Sequence, residues 1–373
     1  MLKKRSYFWV RMLLHVKKEN DNINVTGDKP IDHSAGGIHV PKVTLQDIAD
    51  ELQLSKSLIS KIINNRDVRV SDEVRKKVLD KIKEYNYVPN RVASALSSKK
   101  MNLIACIVTN TNYDFYTDLV FYIEQEAFRQ GYNIILCNIA ENTAREANYL
   151  KLYQSGLIDG ILASSSDGTS NRELYEQIHH DGFPIVFVDR YIPDTGISVV
   201  ATENRQGAYI LTQELIQKGH KRISFVGYDF ATKTTVQKNR YMGYARAMEE
   251  NGLTQQLLYA AEEGERSLER ALQEDRPTAL VMISSWQIPE ILKLCRKYGM
   301  KVPRDLSIAT FDEFRLPYNS MNDIQTTRVV EEPLIILKQD VQALARAAVD
   351  VLIDQINGVS KEEIHKFIPP YFE

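Results

Sequence analysis

The chain has 373 residues, 43% hydrophobic and 26% charged, with a formal net charge of −2, long enough for two or three domains with substantial cores. No apolar run approaches the ~20 residues of a membrane span, and Cys106, Cys137 and Cys295 form no Cys-x-x-Cys pair or Cys/His cluster for a metal. Charge is uneven: residues 42–100 carry 13 Lys/Arg against 8 Asp/Glu and residues 1–41 carry 7 against 4, which leaves 27 against 37 for the remainder. A basic N-terminal module on an acidic body suits a nucleic-acid partner for the first part only, although a solvated helical surface has the same balance.

Residues 1–41 do not read as a domain. The apolar run from Tyr7 to Leu14 is short, is broken by Arg11 and is followed by no small-residue cleavage site, so a signal peptide is not expected. Residues 20–37 are polar and glycine-containing, the composition of a disordered extension. A misassigned gene start is the other reading. Ala35-Gly36-Gly37 can be encoded by a purine-rich ribosome-binding sequence, with Val40 as a GTG start.

Residues 42–88 predict a helical head. Thr44 is placed to cap a first helix, in which Leu45, Ile48, Ala49 and Leu52 share one apolar face. After a short break Ser55 caps a second helix with Leu58, Ile59, Ile62 and Ile63 inward. Its other side carries Lys56, Ser57, Ser60, Lys61 and Asn64. Two short helices joined so tightly suggest a helix-turn-helix. A short, polar, cationic outer face is what an element entering a major groove needs, and an ordinary surface helix is the plain alternative. Lys56 and Ser57 lie in the first turn, where side chains reach base edges, and Lys61 can donate to guanine or phosphate. A third helix follows over residues 71–86, capped by Ser71, with Val74, Val78, Leu79, Ile82 and Tyr85 expected inward. Residues 89–100 predict a short helix and linker, marginal in isolation.

From Met101 the pattern alternates. Residues 103–108, 133–137, 160–163, 185–188, 223–226, 279–283 and 306–311 read as buried strands, with helical stretches such as 119–130 and 204–218 between them. The fold class is therefore an all-α head on an α/β body of two Rossmann-like lobes, residues 101–373, with parallel sheets covered on both faces. Ligands in such folds bind beyond the C-terminal ends of strands, which puts a pocket between the lobes. The serine-rich loop at 164–168 lacks the Gly-Lys-Ser/Thr of a phosphate cradle and is read as a plain loop.

The chain resembles the lactose-repressor (LacI/GalR) family of bacterial transcription regulators. The resemblance spans about residues 43–370 and is carried by Val43-Thr44-Leu45-Gln46-Asp47-Ile48-Ala49, Tyr87-Val88-Pro89-Asn90-Arg91-Val92-Ala93, Asn204-Arg205-Gln206-Gly207-Ala208 and Gly219-His220-Lys221-Arg222-Ile223. It implies a DNA-binding head, a hinge helix and a body like a periplasmic sugar-binding protein, acting as a homodimer on palindromic operator DNA. The implied DNA contacts are Thr44, Ser55, Lys56, Ser57, Ser60, Lys61 and Asn64 of the head and Asn90, Arg91, Ala93 and Leu96 of the hinge, with Leu96 as a minor-groove wedge. The implied effector contacts are the aromatic pair Phe115 and Tyr116, Asp189 with Arg190, the gripping Arg240, Ser284, Trp286 and Asp312.

This sequence departs from the family pattern at several points. Gln53 stands where the turn usually has glycine, and Lys61 where arginine is usual. Ser284-Ser285 replaces an Asn-Asp pair and is followed by Trp286, and residues 319–328 also depart from the pattern.

The resemblance implies a repressor controlled by a small molecule, most often a sugar or sugar phosphate, with a purine or a partner protein as the alternative effector. No cofactor, metal or membrane association is expected, and the implied location is cytoplasmic, on the nucleoid. A periplasmic-type binding protein without DNA function does not account for the basic head. An α/β enzyme using Asp189, Arg240 and Asp312 lacks a nucleophile-base pair.

Overall fold

The computed structural model describes residues 43–63, 67–85, 87, 100–227, 234–259, 262–313, 330–360 and 362–372. Residues 1–41, Asn64, the departure at 319–328 and the hinge positions Asn90, Arg91, Ala93 and Leu96 lie outside them. The chain divides into two compact units, Met1–Pro89 and Asn90–Glu373.

In the first unit three helices close on a small core: α1 (Leu45–Leu52), α2 (Lys56–Ile63) and α3 (Asp72–Glu84). Ile48, Ala49, Ile59, Ile62 and Val78 are its buried centre. Thr44 and Asp47 form a reciprocal capping box at the start of α1. Ser55 Oγ accepts from the Leu58 amide at 3.2 Å, and Ser71 Oγ from the Val74 amide at 3.3 Å. The third helix faces its neighbours with less of its surface than the sequence suggests. Leu79 is exposed, and Tyr85 lies at the surface, its hydroxyl donating to Glu51 at 2.7 Å. Lys81 pairs with the same Glu51 at 2.6 Å, which ties α3 to α1.

Gln53 ends α1 in a left-handed conformation, φ 54° and ψ 36°, and its amide donates to the Ala49 and Asp50 carbonyls. A side chain with a Cβ pays about 1 kcal/mol there that glycine avoids. Gln53→Gly is therefore expected to stabilise the head by about 0.5–1 kcal/mol. Amide exchange at buried Ile48 and Ala49 should slow correspondingly, and faster exchange would contradict the strain argument.

The second unit holds two sheets. The first lobe has β1 (Leu103–Val108), α4 (Asp114–Arg129), β2 (Asn133–Asn138), α5 (Thr143–Leu150), β3 (Gly160–Ala163), α6 (Arg172–His180), β4 (Ile185–Val188) and β5 (Ser198–Thr202). The second has α7 (Asn204–Gln217), β6 (Ile223–Gly227), α8 (Thr235–Glu250), β7 (Gln256–Tyr259), α9 (Glu262–Glu274), β8 (Ala279–Met282), α10 (Ile288–Lys297), β9 (Ser307–Phe311) and β10 (Ile335–Lys338). The chain then returns to the first lobe through α11 (Val341–Ile356) and β11 (His365–Ile368) and ends on the second with β12 (Tyr371–Phe372).

The strand orders are β11-β5-β4-β3-β1-β2 and β12-β10-β9-β8-β6-β7. Each lobe thus repeats one doubly wound order, with β1 to β5 matched by β6 to β10, and only β12 runs antiparallel. The central strands are buried on both faces because helices cover both. In the first lobe one core holds α4 and α11 residues such as Leu119 and Leu352, and the other holds Leu150 and Tyr175 of α5 and α6. Cys106 and Cys137 fall in these two different cores, on opposite faces of the sheet. Burial pushes the Cys106 thiol up to about 12 and those of Cys137 and Cys295 to about 11, so all three stay protonated.

The structure adds β5, β7, β10, β11 and β12 to the strands expected, and α4 begins at Asp114 rather than at 119. No helix among the described residues is long and apolar enough to cross a membrane.

Candidate functional site: an outward helix face and an interlobe cleft

In the first unit Lys56, Ser57 and Lys61 are exposed on the side of α2 away from Ile59 and Ile62, while Ser60 is half-buried. Thr44 is committed to its cap: its hydroxyl donates to Asp47 at 2.8 Å and accepts from the Asp47 amide at 3.2 Å. The Thr44 amide, which donates to the Asp47 carboxyl at 2.7 Å, and then the Thr44 hydroxyl hold that carboxyl below its usual range.

In the second unit a cavity of about 500 Å³ lies where the C-terminal strand ends of both lobes meet. Phe115, Tyr116, Asp189, Arg190, Arg240, Ser284, Trp286 and Asp312 all line it. The fold brings these eight together because the strand-end rule applies twice. Asp189 follows β4 and Asp312 follows β9, the fourth strands of the two repeated orders. Both adopt left-handed backbone, φ 67° and 61°. Each amide donates to the next strand, Asp189 to Val200 O at 2.9 Å and Asp312 to Leu337 O at 3.0 Å. A non-glycine residue in this conformation is strained by about 1–3 kcal/mol, and here the strain turns two equivalent carboxyls into one cleft.

Burial pushes both carboxyls above the ordinary range. Arg190 and a hydrogen bond from Tyr116 pull Asp189 back, and bonds from Gln339 with the charge of Arg240 pull Asp312 back. The Tyr116 hydroxyl donates to Asp189 at 2.6 Å. Asp312 accepts from the Gln339 amide at 2.9 Å and its side chain at 2.5 Å, and Gln339 accepts in turn from Thr202 at 2.6 Å. Thr202 ends β5 and Gln339 follows β10, where the chain crosses between lobes, so this relay joins a cleft carboxyl to two crossings.

The arginines are engaged with protein acceptors. Arg190 donates to Glu141 at 3.0 Å and to the Ser166 carbonyl at 3.2 Å. Arg240 donates to Asn204 at 2.6 Å and to the Ile283 carbonyl at 2.5 Å, with its guanidinium 3.6 Å from the Phe311 ring centre.

Sequence reasoning missed Tyr113, Gln339 and Glu146. Tyr113 lines the cavity two residues before Phe115. Gln339 follows the Ile335–Lys338 strand, whose apolar run was the available signal. Glu146 is wholly buried in α5 and accepts from the Ser166 amide and hydroxyl, Asn171 and Tyr175. An internal carboxyl therefore occupies the amide and hydroxyl that Ser166 of the serine-rich loop would offer a phosphate.

Residues 44–90 match the family model of bacterial regulatory proteins of the lacI family, and residues 102–372 match that of periplasmic binding proteins and the sugar binding domain of the LacI family. A transcriptional repressor PurR of Pasteurella multocida (strain Pm70) is 28% identical over 326 residues, 86% of this chain and 93% of that protein. The transcriptional regulator DegA of Bacillus subtilis (strain 168) is 30% identical over 278 residues, 73% of this chain and 82% of that protein. The Lac repressor dimer bound to operator and an anti-inducer shares the fold, with TM-score 0.73 at 20% identity over 88% of this chain and 97% of that one. The chain therefore belongs to the LacI family, as a DNA-binding transcriptional repressor whose second unit is a periplasmic-binding-protein-like effector domain.

Proposed function

We propose that the effector is one uncharged, polyhydroxylated ring, a sugar, and that its occupancy of the cleft sets the affinity of the head for operator DNA. One observation carries this reading. Two equivalent carboxyls, Asp189 buried and Asp312 half-buried, face a single cavity whose arginines are already bonded to protein acceptors. Ring hydroxyls donate to carboxylates. A phosphate would bring like charge against two carboxyls without a cation to itself. Aromatic side chains complete a lining suited to a ring with an apolar face.

On this reading Phe115, Tyr116, Asp189, Arg190, Arg240, Ser284, Trp286 and Asp312 serve the effector. Lys56, Ser57 and Lys61 read base edges, supported by Thr44, Ser55, Ser60 and Asn64, while the segment 89–100 with Asn90, Arg91, Ala93 and Leu96 takes the minor groove. The working unit is a homodimer on a palindrome. Exposed Phe121 and Phe128 on α4, with Leu136 on the edge strand β2, offer apolar surface for a second copy. The protein acts on the nucleoid in the cytoplasm and releases its effector unchanged. A purine is the second reading, favoured by the likeness to the PurR repressors.

Genome-wide mapping of bound DNA is expected to return a palindromic operator. Titrating the operator complex with neutral sugars, sugar phosphates and nucleobases separates the readings. A neutral sugar is expected to change operator affinity and, near 100 times its Kd, to stabilise the protein by about 2.7 kcal/mol. A response confined to sugar phosphates or nucleobases overturns the sugar assignment.

A further inference from the structure

We propose that the protein carries a second small-molecule site, a cavity at the lobe crossings, and that a phosphate ester bearing a ring binds there and alters the effector cleft. The site goes beyond the effector reading, since no residue lines both cavities. The second cavity measures about 800 Å³, within the range of small-molecule pockets. Thr202, Glu203 and Asn204 wall it on the crossing from β5 to α7, and Phe367 walls it just before the crossing from β11 to β12. Its charge is opposite to that of the cleft. Arg205 and Arg246 stand against the single carboxylate of Glu203, whereas the cleft sets two arginines against Asp114, Asp189 and Asp312. Arg205 is exposed, and its side chain has no partner among the described residues. Arg246 gives Glu250 only its Nε, at 2.8 Å, and keeps both terminal nitrogens for an anion. That pair is exposed on both sides, so it contributes little and yields readily to a phosphate.

Apolar surface lies beside these cations. Phe367 keeps 41% of its surface exposed, with its ring centre 6.4 Å from that of Tyr191. The Arg246 guanidinium sits over the Tyr209 ring at 4.8 Å. A phosphate on the arginines and a ring on Phe367 use both kinds of surface. Two hydrogen bonds cross from this cavity to the cleft. Thr202 Oγ1 donates to Gln339 at 2.6 Å, and Arg240 donates to Asn204 Oδ1 at 2.6 Å. Gln339 and Arg240 line the cleft, and the Gln339 amide holds Asp312 at 2.9 Å. The Asn204 side chain also donates to the Thr202 carbonyl at 3.2 Å, so the two links form one wall. A ligand pressed on that wall changes how Asp312 and Arg240 are held, and by linkage the cleft ligand changes its affinity in turn.

Glucose 6-phosphate, adenosine monophosphate and inorganic phosphate are titrated by calorimetry into the full chain. At least one ester should bind with a Kd of about 1 mM or tighter, and inorganic phosphate at least about tenfold more weakly. Arg205→Gln/Arg246→Gln changes two exposed positions. It should weaken the ester at least about tenfold, while Trp286→Ala in the cleft should change it by no more than about threefold. Saturation with the ester should shift hydrogen exchange at the Gln339 amide by at least about twofold. Thr202→Val should still bind the ester and lose that shift. No ester binding, equal binding to the double arginine variant, or a greater loss in Trp286→Ala overturns the site. Inorganic phosphate binding as tightly as the ester overturns the ring contact, and unmoved Gln339 exchange overturns the link to the cleft. Neutral sugars are titrated separately. Their failure to bind overturns the effector reading, and the second site is still judged by the esters.

Discussion

Arg240→Met is expected to abolish effector binding and to lower the melting midpoint of the effector domain by about 10 °C, from the loss of about 3–5 kcal/mol. Arg240 is 3% exposed. Its guanidinium joins Asn204 at the start of α7, the Ile283 carbonyl after β8 and the Phe311 ring at the end of β9. Each hydrogen bond from a charged donor is worth about 1.5–3 kcal/mol, and removing the donor leaves a buried acceptor unpaired. Methionine keeps an unbranched apolar stem, so the variant isolates the loss of the head group.

The helix that carries Arg240 has little freedom to adjust. A Cβ on Gly243 would lie 2.0 Å from the Arg205 carbonyl, so α8 and α7 pack there backbone to backbone. Arg240→Lys keeps the charge but cannot span two acceptors while stacking on a ring, and should fall between. Calorimetry reads both quantities. Lost binding at an unchanged midpoint would mean that Arg240 serves the effector alone, the gripping role implied by family resemblance.

The residues that announced themselves in the sequence are those whose local pattern matches their place in the fold. Central strands such as Leu103–Val108 are buried on both faces and read as unbroken apolar runs. Asp189 and Asp312 were legible because each ends such a run. Their equivalence was not, since it depends on a strand order repeated between lobes, which no local window contains. The edge strand His365–Ile368 is largely exposed and carries His and Lys, so it resembles a loop. Its register against β5 is set by residues more than 160 positions away. The start of α4 was missed because Tyr113 provides no capping bond to mark it. Leu79 has the spacing of a core residue, but the three helices among the described residues of the head form too small a core to cover every apolar position on the third. Glu146 looked like a solvated charge on a short helix, and only the tertiary fold brings its four donors to it.

Asp312→Asn is expected to weaken effector binding about 10–100-fold at neutral pH, the worth of one hydrogen bond to a charged group. Its stability should carry a signature opposite to that of an ordinary ion-paired carboxylate. Burial raises the folded-state pKa of Asp312 above the ordinary 3.8. Between 3.8 and that raised value the folded protein therefore binds more protons than the unfolded chain. Stability from this group is complete below the lower value and is lost as pH rises through the upper one. Asparagine has no such transition. The stability of Asp312→Asn relative to the parent should thus rise from about pH 4 upward and level off once the parent's carboxyl has ionised. Asp189 is raised by the same cause, so Asp312→Asn keeps that second contribution and the Asp189→Asn/Asp312→Asn pair removes both. Effector hydroxyls favour the ionised carboxyl, and binding by the parent should weaken as pH falls through the raised pKa. A stability difference that stays flat between about pH 4 and about pH 7 would show that the cleft does not penalise the Asp312 charge. It would leave only the hydrogen bonds of Gln339 to decide the orientation of that carboxyl.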